Sequence, residues 1–203
     1  MPLVLYIFVK TKDYFLKVLF LKYKSVIRFL VLFLGTYVVL SILYNGYLHF
    51  GKSDTYYPDP ITHLVANQTS VLTSAFGYKA EIIPHQNEAS MKLLINDKYL
   101  ARIVEGCNAL SVMVLFIAFI VAFYQKIKPT LSYILVGSVL IYSANLFRIV
   151  LLSIALYKYP QYENILHGVI FPAIIYGMVF LLWILWIRKI PTKQLSDAQV
   201  YER

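Results

Sequence analysis

Three side chains of chemically reactive type stand at corresponding places in three apolar stretches of this sequence. Cys107 begins one stretch, Arg148 lies late in the next, and His167 begins the last. A thiol is a nucleophile, an imidazole transfers protons near neutral pH, and a guanidinium stabilises negative charge. If each stretch crosses a membrane, all three groups lie on the same side. The pattern predicts a cysteine nucleophile with an acid–base partner and an anion stabiliser.

Each of these residues also has an explanation that involves no chemistry. A cysteine can fill an apolar core, an intramembrane arginine can reach towards lipid headgroups, and a histidine can lie idle at an interface. The length of each stretch fixes the membrane depth of its reactive residue separately. A common depth for all three therefore favours a functional site over three unrelated placements. Asn145 lies one helical turn before Arg148 on the same face, where it can hydrogen-bond the guanidinium or a substrate amide.

The composition indicates an integral membrane protein. Hydrophobic residues make up 60% of the 203 residues and charged residues 14%, whereas a soluble domain carries about 25% charged residues. The net charge of +9 flanks the apolar runs, so it indicates topology and contact with anionic lipid rather than nucleic-acid binding. The single cysteine excludes an intramolecular disulfide. His49, His63 and His85 lack the spacing of a metal site, so we predict no metal and no cofactor.

The predicted fold is an all-α polytopic membrane protein with four transmembrane helices. Their expected bounds are Val26–Tyr47, Cys107–Tyr124, Thr130–Tyr157 and His167–Ile187. The second is near the lower length limit for a span, and the third is longer than the hydrocarbon core requires, so it must tilt or protrude.

The distribution of lysine and arginine sets the expected orientation. These residues are dense before the first span, between the second and third, and after the fourth. By the positive-inside rule those regions are cytoplasmic, so both termini lie inside. Residues 48–106 and the loop Tyr157–Leu166 are then outside. The alternative is an additional short span starting at Met1, which would reverse the orientation.

The two ends of the chain are expected to lie on the cytoplasmic side. In residues 1–25, apolar residues alternate with lysines and no small-residue cleavage site occurs. This pattern indicates an amphipathic helix in the membrane interface rather than a cleaved signal peptide. Residues 188–203 form the predicted cytoplasmic tail.

Residues 48–106 are more polar and richer in proline, and we predict a small α/β insert there. Ile61–Phe76 is expected to be a helix with Asp59 or Thr62 near its cap. Met91–Asn96 and Tyr99–Val104 are expected to form a β-hairpin around Asp97-Lys98. The second strand leads directly to Cys107, which we therefore expect in the first turn of the next helix. The N–H groups of a helix N-terminus favour an anion such as a thiolate.

The order of these residues resembles the exosortase/archaeosortase family of membrane cysteine transpeptidases. Glu-Gly-Cys-Asn at 105–108 heads one span, Asn-Leu-Phe-Arg at 145–148 lies late in the next, and His167 opens the last. The resemblance covers about Val104–Trp186. The stretch from the cysteine to Met113 looks most like the exosortase F branch of Bacteroidetes.

The resemblance implies an activity and roles for particular residues. Cys107, Arg148 and His167 would be catalytic, with Asn145 and Asn108 in support. The enzyme would cleave the C-terminal sorting signals of exported proteins, each a short motif, one transmembrane helix and a basic tail. It would pass the cut protein to a surface glycan or a lipid-like acceptor. The site would lie on the extracytoplasmic face of the bacterial inner membrane.

The chain departs from the family pattern at one position beside the cysteine. The family usually has glycine two residues after the cysteine, and this chain has Ala109. A close backbone approach at that turn is therefore the feature most affected by the difference.

Three other functions stay open on the sequence. A non-catalytic membrane assembly partner would tolerate changes at Cys107 and be sensitive at helix-packing positions such as Gly137 and Ser138. A small anion transporter would use Arg148 to bind its substrate and would survive loss of the thiol. A membrane acyltransferase would load a lipid chain, rather than a peptide, onto Cys107.

Overall fold

A computed structural model describes residues 22–51 and 57–189 of the chain. Residues 1–21, 52–56 and 190–203 lie outside the described part. The amphipathic segment predicted for 1–25 and the tail predicted for 188–203 therefore fall almost entirely outside the described residues. Within them, the fold is mostly helical and contains a small three-stranded sheet.

The first helix, α1, runs Lys24–Phe50 and is long and apolar enough to cross a membrane. None of its residues is buried against the rest of the protein. Towards its N-terminal end, the Phe29 ring lies 6.0 Å from the ring of Phe119 and 4.8 Å from that of Phe123. At its other end, tyrosines form hydrogen bonds with the residues that follow. Helix α1 is thus a peripheral helix that presents most of its surface outwards.

Helix α2, Pro60–Ala75, opens the insert after α1. Asp59 is its N-cap, and the Asp59 carboxylate accepts hydrogen bonds from the backbone N–H groups of Ile61 and Thr62. A proline at the first helical position fits because its missing N–H would have no helical partner. The helix predicted for Ile61–Phe76 is therefore present, with Asp59 as the cap.

An antiparallel sheet follows α2, with strands in the order β1 (Ala80–Pro84), β2 (Met91–Ile95) and β3 (Lys98–Ile103). Strands β2 and β3 form the expected hairpin, but its turn is Asn96-Asp97 rather than Asp97-Lys98. Both turn residues have positive φ, 50° and 63°, as the favoured two-residue hairpin turns require. Strand β1 was not predicted, since it is a short, half-exposed edge strand ending in proline.

The insert packs on the membrane-spanning part through one side of β2. Met91 and Leu93 are buried there against Val65 and Ala66 of α2 and against Ile149 in the long helix described below. At the turn of the hairpin, the exposed ion pair between Lys79 and Asp97, with Nζ and Oδ1 2.9 Å apart, raises the pKa of Lys79. The apolar contacts give β3, which leads to Cys107, a fixed position over the spans.

Helix α3 runs only Leu110–Ala122, 13 residues or about 20 Å. A span needs about 20 residues, so the second of the four predicted spans, Cys107–Tyr124, is not confirmed. The helix starts late because Ala109 before it has left-handed backbone. It ends at Phe123, whose backbone carbonyl accepts a hydrogen bond from Trp186 Nε1 at 3.2 Å.

Two further segments are long and apolar enough to span a membrane. Helix α4 runs Ile127–Lys158. The last segment, Pro160–Arg188, is composite: short helical turns lead to a π-helical turn at Leu166–Ile170, and helix α5 then runs Phe171–Arg188. In the described ranges 22–51 and 57–189, three segments rather than four therefore reach spanning length.

Away from the insert, α3, α4 and α5 form the largest apolar core among the described residues. Phe116 of α3, Ile141 of α4 and Val179 of α5 are almost completely buried in it. Gly137 of α4 lies against the Phe116 ring so closely that an added Cβ would come within 2.3 Å of the ring carbon Cζ. This core fixes the three helices relative to one another at the end away from the insert.

Candidate active site

Cys107 lies in a separate turn between β3 and α3. The 3₁₀ turn Glu105–Cys107 follows the sheet, and the Cys107 N–H donates to the Val104 carbonyl at 2.8 Å. The first amide of α3, Leu110 N–H, donates to the Asn108 side-chain oxygen at 2.9 Å. The expectation that Cys107 lies in the first turn of a helix is therefore wrong. The first amide of α3 is thus bonded by Asn108 rather than free to face the sulfur of Cys107.

Ala109 has a left-handed backbone conformation, which the sequence did not predict. Its φ is +66°, and its side chain is almost completely buried. For a residue with a Cβ this conformation costs about 1–2 kcal/mol. It allows the chain to leave the cysteine turn and enter α3 within two residues. The strain is thus located directly beside the candidate nucleophile.

Asn145 of α4 joins the cysteine turn to the arginine. Its Nδ2 donates to the Cys107 carbonyl at 2.6 Å, and its Oδ1 accepts from Arg148 Nη1 at 3.4 Å. Only this orientation of the amide satisfies both partners, because a carbonyl cannot donate and a guanidinium cannot accept. Asn145 is buried, so these two bonds account for a polar group that burial would otherwise penalise. The sequence indicated the bond to Arg148 but not the bond to Cys107.

Arg148 keeps part of its hydrogen-bonding capacity free. Its Nε is buried and has no hydrogen-bond partner among the described residues. A buried N–H without an acceptor costs about 1–3 kcal/mol, and an oxygen atom of a bound ligand would remove that cost. The guanidinium is therefore available to a carbonyl oxygen or an anion that enters beside it.

His167 lies in the π-helical turn Leu166–Ile170 rather than at the start of a regular helix. The last helical segment begins at Pro160, so the prediction that His167 opens the last span is wrong by about two turns. The polar residues before the histidine are helical too, which the sequence alone did not indicate. Single π-turns inside helices are frequent at functional sites because they redirect side chains.

A cavity of about 270 Å³ brings the three groups together. It lies between β3, the cysteine turn, α4 and the start of the last segment, and Cys107, Arg148 and His167 all line it. Apolar side chains such as Leu152 and Leu156 form much of the remaining wall. Low polarity strengthens the interaction between the guanidinium and any charge that develops in the cavity. The enclosure can hold a small segment of extended peptide beside the sulfur.

Two charged cavity residues were missed by the sequence analysis. Glu163 precedes His167 by one helical turn and lines the same cavity, and Arg102 of β3 lines the opposite wall. Arg102 forms an ion pair with Glu88, whereas Glu163 has no ion pair among the described residues. The four-residue spacing between Glu163 and His167 could have indicated a shared helix face. No sequence pattern indicated that Arg102 lines the cavity, because its position depends on how the sheet packs on α4.

Comparison with known protein families gave a match. The sequence model of the transmembrane exosortases matches residues 18–188, which include the helices, the sheet and the cavity described above. Neither the curated proteins nor the solved structures gave a match.

Proposed function

Because this chain belongs to the transmembrane exosortase family, we propose that it is a membrane cysteine transpeptidase that cleaves C-terminal sorting signals of exported proteins. It then transfers each cut protein to a surface acceptor, a glycan or a lipid-like carrier. Within the family, we assign it to the exosortase F branch on the stretch from Cys107 to Met113.

We place the protein in the bacterial inner membrane, with both termini in the cytoplasm and the cavity on the extracytoplasmic side. The support is the density of lysine and arginine at the opposite ends of the spans. The cavity lies where the insert meets α4 and the last segment, far along the chain from those basic ends. A substrate anchored by a transmembrane helix would present its motif at that level.

The first half of the proposed reaction forms a thioester. The Cys107 sulfur, as thiolate, attacks the scissile carbonyl carbon, and the carbon–nitrogen bond breaks. His167, as imidazolium, gives its proton to the departing amine. The negative charge that develops on the carbonyl oxygen lies within reach of the Arg148 guanidinium, whose Nε lacks a partner among the described residues.

The second half transfers the substrate to the acceptor. An acceptor hydroxyl or amine attacks the thioester carbon and loses its proton to His167. The carbon–sulfur bond breaks and regenerates the thiolate, so the thiolate of Cys107 and the imidazolium of His167 are both restored. Exclusion of water from an apolar enclosure favours transfer over hydrolysis.

One observation carries the proposal: a thiol, a guanidinium and an imidazole from three separate elements line a single cavity. Packing alone does not explain why the only cysteine of the chain lies in the same cavity as an arginine and a histidine. The family match supplies the reaction class, and the cavity supplies the groups that can perform it.

The test is cleavage of a reporter in cells. The reporter carries a C-terminal segment with motif, apolar helix and basic tail, taken from a protein encoded beside this chain. We expect the wild-type protein to shorten the reporter and Cys107→Ala and His167→Gln to leave it intact. Two variants outside the cavity serve as controls. Ser111→Ala removes a small polar side chain, as Cys107→Ala does, and His49→Gln makes the same replacement as His167→Gln. Continued cleavage by Cys107→Ala at normal protein levels would refute the proposal.

A further inference from the structure

The peripheral helix α1 reaches the cysteine turn through one side chain. Tyr44 Oη donates a hydrogen bond to the Glu105 carbonyl at 3.3 Å and accepts one from Asn108 Nδ2 at 3.3 Å. Glu105 and Asn108 lie on either side of Cys107 in the chain. Tyr44 therefore holds both ends of the turn that carries the sulfur.

Asn108 is the point where four elements meet. Besides Tyr44 of α1, its Nδ2 reaches Thr62 Oγ1 of α2 at 3.3 Å, and its Oδ1 accepts from Leu110 N of α3 at 2.9 Å. Asn108 and Thr62 are completely buried. In such a place the loss of one partner leaves a polar group unsatisfied, so the network specifies one arrangement of the turn.

The cysteine turn needs this support because only one of its two backbone hydrogen bonds, from Cys107 N–H to the Val104 carbonyl at 2.8 Å, is short. The Asn108 N–H reaches the Glu105 carbonyl only at 3.4 Å, near the limit for a hydrogen bond. On the cavity side, Asn145 holds the Cys107 carbonyl at 2.6 Å. On the other side, Tyr44 and Thr62 hold the residues next to it. The turn is thus clamped between α4 on one side and α1 and α2 on the other.

We propose that Tyr44 is a positioning residue for the Cys107 thiol, so that α1 acts on the site as well as anchoring the chain. Its hydroxyl keeps the turn 105–108 in the one conformation that directs the sulfur into the cavity. The consequence for turnover rests on the proposed transpeptidase function. The consequence for the thiol itself does not, because the reactivity of a thiol depends on its exposure and surroundings whatever its task.

Tyr47 provides a matched control in the same helix. Its ring stacks on that of Tyr44 with centroids 6.3 Å apart. Its hydroxyl also makes two hydrogen bonds, to Asp59 Oδ1 at 2.8 Å and from Ile61 N at 3.1 Å. These bonds tie α1 to the start of α2 and do not touch the cysteine turn. Tyr47→Phe therefore removes equivalent bonding from α1 while it leaves the turn in place.

The experiment compares Tyr44→Phe with Tyr47→Phe in the full-length protein. The first readout is the rate at which N-ethylmaleimide alkylates the detergent-solubilised protein, which reports on Cys107 alone since the chain has one cysteine. The second is reporter cleavage. We expect Tyr44→Phe to alkylate several-fold faster, because the freed turn exposes the sulfur. We expect its kcat to fall by about tenfold to a hundredfold with little change in KM.

Thr62→Val, which removes the other acceptor of Asn108 Nδ2 with little change of shape, should show the same pattern in weaker form. Tyr47→Phe should match the wild-type protein in both readouts. If Tyr44→Phe and Thr62→Val alkylate at the wild-type rate, the inference is refuted, whatever the cleavage assay shows. If alkylation changes as expected while neither the wild-type protein nor any variant cleaves the reporter, the positioning role stands and the transpeptidase function fails.

Discussion

Helices α1 and α4 have similar apolar composition and very different surroundings. Both contain a window of spanning length and hydropathy, yet none of that window is buried in α1 and 39% is buried in α4. The buried residues of α4 include the polar Thr130, Asn145 and Ser153. Helix α1 buries none, although one half-exposed side of it packs along α3.

The comparison separates two roles that hydropathy cannot distinguish. An apolar helix that faces outwards serves mainly to hold its ends in place, and those ends are where its polar contacts lie. An apolar helix that is packed on one side can bury polar groups and hold them for chemistry. In this protein α4 supplies Arg148 to the cavity and the buried Asn145 that bonds both Arg148 and the cysteine turn, while α1 supplies the hydroxyl of Tyr44 behind that turn.

Among changes that test the difference between the two helices, replacement of Arg148 should have the largest effect. Arg148→Gln removes the guanidinium that faces the cavity, and we expect kcat for reporter cleavage to fall by about a hundredfold to a thousandfold. Arg188→Gln at the end of α5, where the side chain is exposed, should leave kcat unchanged. Protein level and thermal stability measured beside the rate will separate a catalytic loss from a folding loss. Equal rates for the two variants would show that Arg148 of α4 takes no part in the reaction.

Glycines at comparable places in the two helices should respond oppositely to an added methyl group. Gly137→Ala in α4 drives a Cβ into the Phe116 ring, so we expect a loss of about 1–3 kcal/mol in unfolding free energy. Gly35 in α1 has no atom within 4 Å of the position of a Cβ, so Gly35→Ala should not lower stability. Thermal unfolding in detergent measures both. A similar loss in both variants would mean that α1 is packed against something in the membrane.

A smaller gain is expected at the strained alanine beside the cysteine. Ala109→Gly relieves the cost of a positive φ and should raise the unfolding free energy by about 1 kcal/mol. Ala118→Gly, in the regular part of α3, should instead lower it by about the same amount or more. Both changes are followed by thermal unfolding. If Ala109→Gly is also destabilising, contacts of the buried methyl group outweigh the backbone strain.

Much of the site could be predicted from the sequence because it is encoded by position along apolar segments. The places of Cys107, Arg148 and His167 relative to their stretches determined which groups meet, and the one-turn spacing from Asn145 to Arg148 gave their contact. Alternation and turn residues identified the β2–β3 hairpin. Strand alternation, turn residues and helical spacing are all local patterns, with periods of two to four residues.

The features that were missed depend on contacts between distant segments. The late start of α3 follows from the cap by Asn108 and the left-handed Ala109, which hydropathy does not register. Arg102 of β3 reaches the cavity only because the insert docks on α4. The role of Tyr44 depends on residues about sixty positions away.

The central claim is that Cys107 forms a covalent bond to the cut substrate protein. The most direct measurement is the intact mass of the full-length protein after acid quenching during turnover of the reporter. We predict a species heavier by the mass of the cleaved reporter, released by neutral hydroxylamine as a thioester is, and absent from Cys107→Ala. An adduct with the mass of a lipid acyl chain, or undiminished cleavage by Cys107→Ala, would contradict the account.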